Sequence, residues 1–348
     1  MEYKVTIGIP VYNVEKHIRL TMDSALAQTF ESIEFLVLDD CGTDGSMDIV
    51  REYQQTHARG KDIRIVRQPK NMGIGAGRNR IVEEAQGRYL YFMDADDSIL
   101  PHTIDLLYEN AQKYHAQLVY GSYERIEEFG VEKRREAKRY PAMQFLDDDT
   151  FATYAYQRYD RIEAMIWNIL IDIDVYRKNG LRHKLLNYWE DFMLTMDLPT
   201  YVSRVVLLPD ITYSYYCREG SLSNFQKRKS ISKQEFLSTV EALEEIKDSS
   251  GRLRGKSYFP LRMQKVMMTD FYIVCTILRS KAIISPSFTK REIRDVMKSP
   301  LSLTEILKFT QARWINLMLY AFWKLPPSLS VALMRLVAKM RKLRYKKN

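Results

Sequence analysis

Through the first hundred residues, short β-rich runs recur about 25–30 residues apart with helical stretches between them, and acidic groups follow two of the runs. Val5-Thr6-Ile7-Gly8-Ile9, Phe35-Leu36-Val37-Leu38, Ile63 to Arg67 and Tyr89 to Met93 read as strands. Residues 14–28, about 46–57 and about 74–86 read as helices. Such alternation constrains the chain to an α/β fold with a mostly parallel sheet flanked by helices, since each parallel crossover needs a long, usually helical, connection. Ligands of these sheets bind beyond the C-terminal ends of the strands. Asp39-Asp40 closes the second run and Asp94-Ala95-Asp96-Asp97 the fourth, so the acidic groups stand where a ligand is expected.

Crowded carboxylates repel and raise one another's pKa unless a cation or donor satisfies them. Asp94-x-Asp96 offers hard oxygen ligands to Mg²⁺ or Mn²⁺, with positions left for substrate phosphates, which points to a nucleotide diphosphate. An isolated Asp-x-Asp is common in surface loops, so its context decides. Two look-alike motifs fail: Gly73-x-Gly75-x-Gly77-Arg78 breaks the dinucleotide pattern at position 78, and Asp40 to Arg51 lacks the Glu that ends a calcium loop.

The context is a series of ordered blocks. These are Pro10-Val11-Tyr12-Asn13, Gln28-Thr29, Asp39-Asp40-Cys41-Gly42-Thr43-Asp44-Gly45-Ser46, Asn71-Met72-Gly73 with Ala76-Gly77-Arg78-Asn79, and Gly87-Arg88-Tyr89 running to Asp97. Together they resemble the signature of family-2 inverting glycosyltransferases with the GT-A nucleotide-sugar-binding fold. Trp167-Asn168, Tyr188-Trp189-Glu190-Asp191 and Tyr216-x-Arg218-x-Gly220-Ser221-Leu222-Ser223 resemble the later, acceptor-side blocks of bacterial members. The resemblance covers about residues 3–225 and implies a role for each matching position. Pro10 and Tyr12 would pack on the nucleoside, and Asp40 would accept from the base N–H, with Asp39 beside it or merely capping the sheet edge. Arg78 would reach the diphosphate unless it forms a surface ion pair. Asp94, Ala95 and Asp96 would handle ribose and metal, with Asp97 as a further metal-side ligand or a helix N-cap. Asp191 would be the base that takes the acceptor hydroxyl's proton, and Glu190 would orient the site. Trp167, Arg218 and Ser221 would lie on the acceptor or lid side, Trp167 being equally readable as a core residue, and His183 as a diphosphate neighbour or a solvated loop residue.

The implied activity is metal-dependent transfer of a hexosyl or hexosaminyl group from a nucleotide-sugar, a UDP-sugar first, to a saccharide or lipid-linked glycan in surface polysaccharide biosynthesis. The alternatives are a sugar nucleotidyltransferase, disfavoured because Pro10-Val11-Tyr12-Asn13 stands where a Gly-rich phosphate loop belongs, and a non-catalytic binding relative. The expected organisation is a catalytic domain over 1–225, a helical extension over 226–305 and a basic amphipathic tail over 306–348. Residues 131–140 read as a charged hairpin or loop, and the Met and aromatic positions of 258–279 as core.

Charge places the partners. The net charge is +9, but ten Lys and Arg lie beyond Glu305, the last carboxylate, which leaves residues 1–305 at −1. The basicity is a property of the tail and argues for an anionic membrane surface rather than nucleic acid. Residues 314–323 are apolar yet too few to span a bilayer, and 329–345 show a basic amphipathic pattern suited to lying in an interface or to docking on the protein's own core. Three Cys without a C-x-x-C pair and an N-terminus without a signal-peptide pattern suggest a reducing compartment, hence a cytoplasmic protein peripheral on the inner face of the cell membrane.

Overall fold

The computed structural model describes residues 3–129, 132–158, 161–186, 189–218 and 230–345. By internal packing the chain divides into two units, one of residues 1–151 and 163–225, the other of 152–162 and 226–348.

The first unit is built on β1 (Tyr3–Val11), α1 (Ile18–Leu26), β2 (Ile33–Asp39), α2 (Ser46–Thr56), β3 (Ile63–Arg67), α3 (Ile74–Glu84), β4 (Gly87–Phe92), β5 (Ser98–Ile99) and α4 (Thr103–Tyr114). It continues with β6 (Leu118–Phe129), β7 (Glu132–Lys138), β8 (Met143–Phe145), β9 (Ile169–Asp172), α6 (Ile173–Asn179), α7 (Glu190–Asp197) and β10 (Val205–Arg218), while α5 (Thr150–Gln157) leads into the segment that joins the other unit. The sheet order is β3-β2-β1-β4-β9-β6-β10-β5, with β7 beside β6 and β8 beside β10. β3, β2, β1 and β4 pair in parallel. Every residue of β2 is buried, as expected of a strand covered on both faces. Beyond β4 the sheet becomes mixed: β9 runs antiparallel to β4 and β6, and β6 and β10 pair in parallel. This is the GT-A arrangement, a mostly parallel half extended by a mixed half.

One element differs from the reading of the sequence. α1 starts at Ile18 rather than near residue 14, because the Val14 and Glu15 N–H groups donate to Ser46 Oγ and Asp44 Oδ2 of the neighbouring loop and leave the helix no place to begin. The charged stretch expected as a hairpin or loop is a hairpin: β7 pairs antiparallel with β6, Arg135 bonds Glu124 of β6 at 2.9 Å, and charge suits an exposed edge.

The second unit holds β11 (Ile231–Ser232), α8 (Lys233–Ser249), α9 (Phe259–Arg279), β12 (Ile284–Ser285), α10 (Lys290–Asp295), α11 (Leu303–Leu307), α12 (Arg313–Lys324) and α13 (Pro327–Tyr345). Residues 152–162 lie inside the expected catalytic span but pack here: Arg262 donates to Tyr156 Oη at 2.7 Å and Lys265 to the Ala155 carbonyl at 3.1 Å. In α9, Met263, Met267, Met268 and Phe271 are buried, whereas Tyr272 is exposed. α12 and α13 pack on α9 and α10.

Candidate active site

The C-terminal ends of β1 and β2 are clasped together. Asn13, in the left-handed region at φ 52°, accepts the Thr43 N–H on Oδ1 at 2.7 Å, and Glu15 accepts the Gly45 N–H at 3.0 Å. Tyr12 is left 46% exposed beside Pro10, an aromatic wall at the strand end. Asp39 and Asp40 are buried. Asp39 Oδ1 accepts the Cys41 N–H at 2.9 Å, and Arg67 stands 3.5 Å from Oδ2. Asp40 takes the N–H of Met72 at 2.8 Å and of Gly73 at 3.0 Å, so it also anchors the loop that begins α3.

The acidic turn after β4 is held from β10. The Tyr213 hydroxyl accepts the Asp94 N–H at 3.2 Å and donates to Asp97 Oδ2 at 2.8 Å, while the Tyr216 N–H donates to Asp97 Oδ1 at 2.8 Å. Both oxygens of Asp97 are therefore committed to protein donors. Burial, then Asp96 and Asp94, push its pKa well above the ordinary value. Asp97 fastens the turn to β10, and it is not a helix N-cap, since the next helix begins later, behind His102. Ala95 is buried in the turn. Asp96 is partly exposed, and burial followed by Asp94 raises its carboxyl to about 6, opposed by Arg218. Arg218 donates to the Asp96 carbonyl at 2.6 Å and to Glu128 at 3.1 Å, which ties the end of β10 to the same turn. Ser221 lies outside the described residues.

Arg78 joins the two halves of the site. It is 2% exposed, inside α3, and its guanidinium bonds Asp94 Oδ1 at 2.9 Å, Glu190 Oε1 at 3.1 Å and Asp191 Oδ1. Burial works against its charge, yet Asp191, Asp94 and Glu190 together hold its pKa above the usual value. It is thus not a surface ion pair: three carboxylates meet two nitrogens of a buried guanidinium, and among the described residues its Nε has no partner. Glu190 and Asp191 open α7, where the helix dipole favours negative charge, behind Trp189 in the left-handed region at φ 74°. A bulky residue held there stores about 1–3 kcal/mol of strain, a cost found at functional turns. Burial pushes the Asp191 carboxyl up to about 7; Arg78 opposes this, while Glu190 and Asp94 add to it. Glu190 is raised as well, by burial first, with Arg78 opposing. A carboxyl that titrates near neutrality and keeps a polar partner is matched to general-base work.

His183 is buried below this cluster. Its ring stacks on Tyr176 and meets Phe92 edge-on, and burial, then Arg78, lower its pKa well below the ordinary value. It is buried packing, not a solvated loop residue. Trp167 is buried and stacks between Tyr213 at 4.5 Å and Tyr215 at 5.2 Å, so its rings brace the tyrosine that holds the acidic turn. Asn168 beside it ties β4, β6 and β10 together: its Oδ1 accepts from Tyr91 at 3.0 Å and Thr212 at 2.8 Å, and its amide donates to the Gly121 and Ser122 carbonyls. Sequence reasoning missed Tyr213, since nothing in its spacing singles it out.

Five carboxylates gather here (Asp94, Asp96, Asp97, Glu190 and Asp191), and among the described residues Arg78 and Arg218 are the cations that pair with members of the group. This excess of negative charge, together with the partly exposed Asp96, suits a divalent ion held by Asp94 and Asp96. Among the described residues, no group of three or more His, Cys, Asp or Glu is gathered as a ready-made metal cage.

Comparison with known proteins follows the same lines. The model for glycosyl transferase family 2 matches residues 6–186, just over half of the chain and ending shortly before Glu190. Glycosyltransferase GlyA of Streptococcus pneumoniae serotype 4 is 28% identical over 232 residues, covering 65% of this chain and 32% of that protein. The cholesterol galactosyltransferase of Borreliella burgdorferi is 27% identical over 230 residues, covering 64% of this chain and 63% of that one. The chain therefore spans between about a third and just under two thirds of the length of these relatives. Among solved structures, residues 1–349 of Staphylococcus aureus TarS in complex with UDP-GlcNAc align with a TM-score of 0.57 at 18% identity, over 92% of this chain and 90% of that one, a likeness of fold.

Proposed function

This chain belongs to glycosyl transferase family 2, and from that premise we propose that it moves a sugar, with inversion, from a nucleotide-sugar to a saccharide hydroxyl. A UDP-sugar is the donor favoured, since the aligned TarS structure holds UDP-GlcNAc. The acceptor read from the sequence is a saccharide or lipid-linked glycan of surface polysaccharide. The base lies against Pro10 and Tyr12, with Asp39 and Asp40 on the adjoining edge as acceptors whose carboxylates keep further lone pairs. The acceptor oxygen attacks the anomeric carbon in line as the bond to the diphosphate breaks. Its proton passes to the Asp191 carboxylate, and the nucleoside diphosphate leaves. Glu190 and Arg78 are positioning residues that fix the carboxylate of Asp191. A Mg²⁺ or Mn²⁺ at Asp94 and Asp96 would supply positive charge to the departing diphosphate.

The observation that carries this reading is the convergence of Asp94, Glu190 and Asp191 on one buried guanidinium. Its test is Asp191→Asn. Transfer should fall by about 10²–10⁴ while the midpoint shift produced by UDP-sugar persists, and turnover near the wild-type rate overturns the assignment. We further place the chain on the inner face of the cell membrane, held by its basic terminal segment. No described helix is long and apolar enough to cross a bilayer. α13 buries Val331 and Met334 yet leaves Leu329, Leu336 and Met340 exposed beside Arg335 and Lys339, so it packs on its unit and still presents an apolar strip.

A further inference from the structure

The second unit carries an apolar corner where α11 meets α12. Within residues 303–315, Leu303 and Leu307 of α11 and Trp314 and Ile315 of α12 are all exposed, Trp314 at 78%, and the two short helices pack against each other. Exposed apolar side chains so concentrated mark an interaction surface. Its one carboxylate among the described residues of α11 and α12, Glu305, is neutralised by Arg254 at 2.8 Å, while Lys308 between the two helices is exposed, so the unpaired charge of the corner is positive. Farther along α12, Lys324 sits 3.8 Å over the Trp323 ring, with Tyr320 edge-on to it, which places aromatic and cationic groups together as at a membrane interface.

We propose that the α11–α12 corner inserts Trp314 and Leu307 into the headgroup and acyl boundary of an anionic bilayer. This rests on the reading of the terminal segment as membrane-facing and adds to it the point of insertion. Three features favour lipid over a second copy of the chain. Pairing two such corners would bring like charges together, α12 is too short to span but long enough to lie flat, and tryptophan is the side chain best suited to the boundary.

The experiment is flotation of the full-length protein with vesicles of neutral phosphatidylcholine and of an equal mixture with anionic phosphatidylglycerol. The pair Trp314→Ser and Leu307→Ser should lower partition into the anionic vesicles by about tenfold or more, with thermal midpoint and transfer to a soluble acceptor unchanged. In a Trp323→Phe background, brominated acyl chains should quench tryptophan emission, and Trp314→Phe should remove that quenching. Flotation of the double variant equal to the wild type overturns the corner. If only Arg335→Glu with Lys339→Glu releases the protein, the terminal segment binds lipid and the corner does not. A wild type that floats with neither mixture overturns both. A dimer in solution that Trp314→Ser converts to monomer assigns the corner to a second copy and overturns the proposal.

Discussion

At the scale of single residues, Arg78 decides whether the site exists. Its guanidinium is buried among carboxylates from β4's end and α7's start, and removing it leaves negative charge uncompensated in the interior. Arg78→Gln is therefore expected to destabilise the protein by about 3–5 kcal/mol in denaturant unfolding. Arg78→Lys should restore little, because a point charge cannot bridge three carboxylates as a planar fork does. As the proposed base, Asp191 would set the pH dependence. It must lose its proton before it can accept one, so kcat should climb with pH through about 7. Glu190→Gln removes a negative neighbour that holds that pKa up and should move the limb to lower pH. Since folding raises this carboxyl above its ordinary value of about 4, stability falls as pH rises through the interval up to about 7, and Asp191→Asn should gain on the wild type across it. Asp94 was legible as an acid closing an apolar strand, whereas Glu190 and Asp191 stood out only through the resemblance of Tyr188-Trp189-Glu190-Asp191 to the family's block. Arg78's task was not legible: the chain order places it beside a glycine-rich loop, and only the packing of α3 turns it toward three acids. The bonds of Asp97 were hidden for the same reason, since its partners arrive from Tyr213 and Tyr216 more than a hundred residues later.

At the scale of elements, α3 is held close by glycines. A Cβ on Gly75 would stand 2.3 Å from the Lys184 carbonyl, and one on Gly77 2.8 Å from Leu38 Cδ2. Gly75→Ala must push back the backbone that leads toward α7. It should cost about 1–3 kcal/mol and reduce kcat more than donor affinity, as steady-state kinetics and denaturation together would show. The parallel strands were readable from their apolar runs. The place of β9 was not, because Ile169–Asp172 is a run of four residues whose insertion between β4 and β6 is fixed by long-range pairing. Likewise α1 lost its first turn to hydrogen bonds from a loop thirty residues away, which no propensity reveals.

At the scale of the whole molecule, two units with separate cores divide the labour. A donor that binds the first should stabilise that unit by mass action, about 2.7 kcal/mol at a hundredfold excess over Kd. Trp167 and Trp189 report on it once Trp314 and Trp323 are replaced by Phe. Unfolding followed by their emission should show that Mn²⁺ strengthens protection by UDP, and that Asp96→Asn loses the metal-dependent share alone. The two-unit division also carries an evolutionary consequence. One guanidinium bonds acids from positions 94, 190 and 191, and a tyrosine at 213 secures the turn that begins at 94. A recombination crossover anywhere between these positions would pair an arginine from one parent with acids shaped by another. Shuffled chimeras of such chains should survive an exchange near 225 where residues 152–162 come from the same parent as the α9 they pack on, so new acceptor preferences would arise by successive point replacements within the first unit, not by swapping its halves.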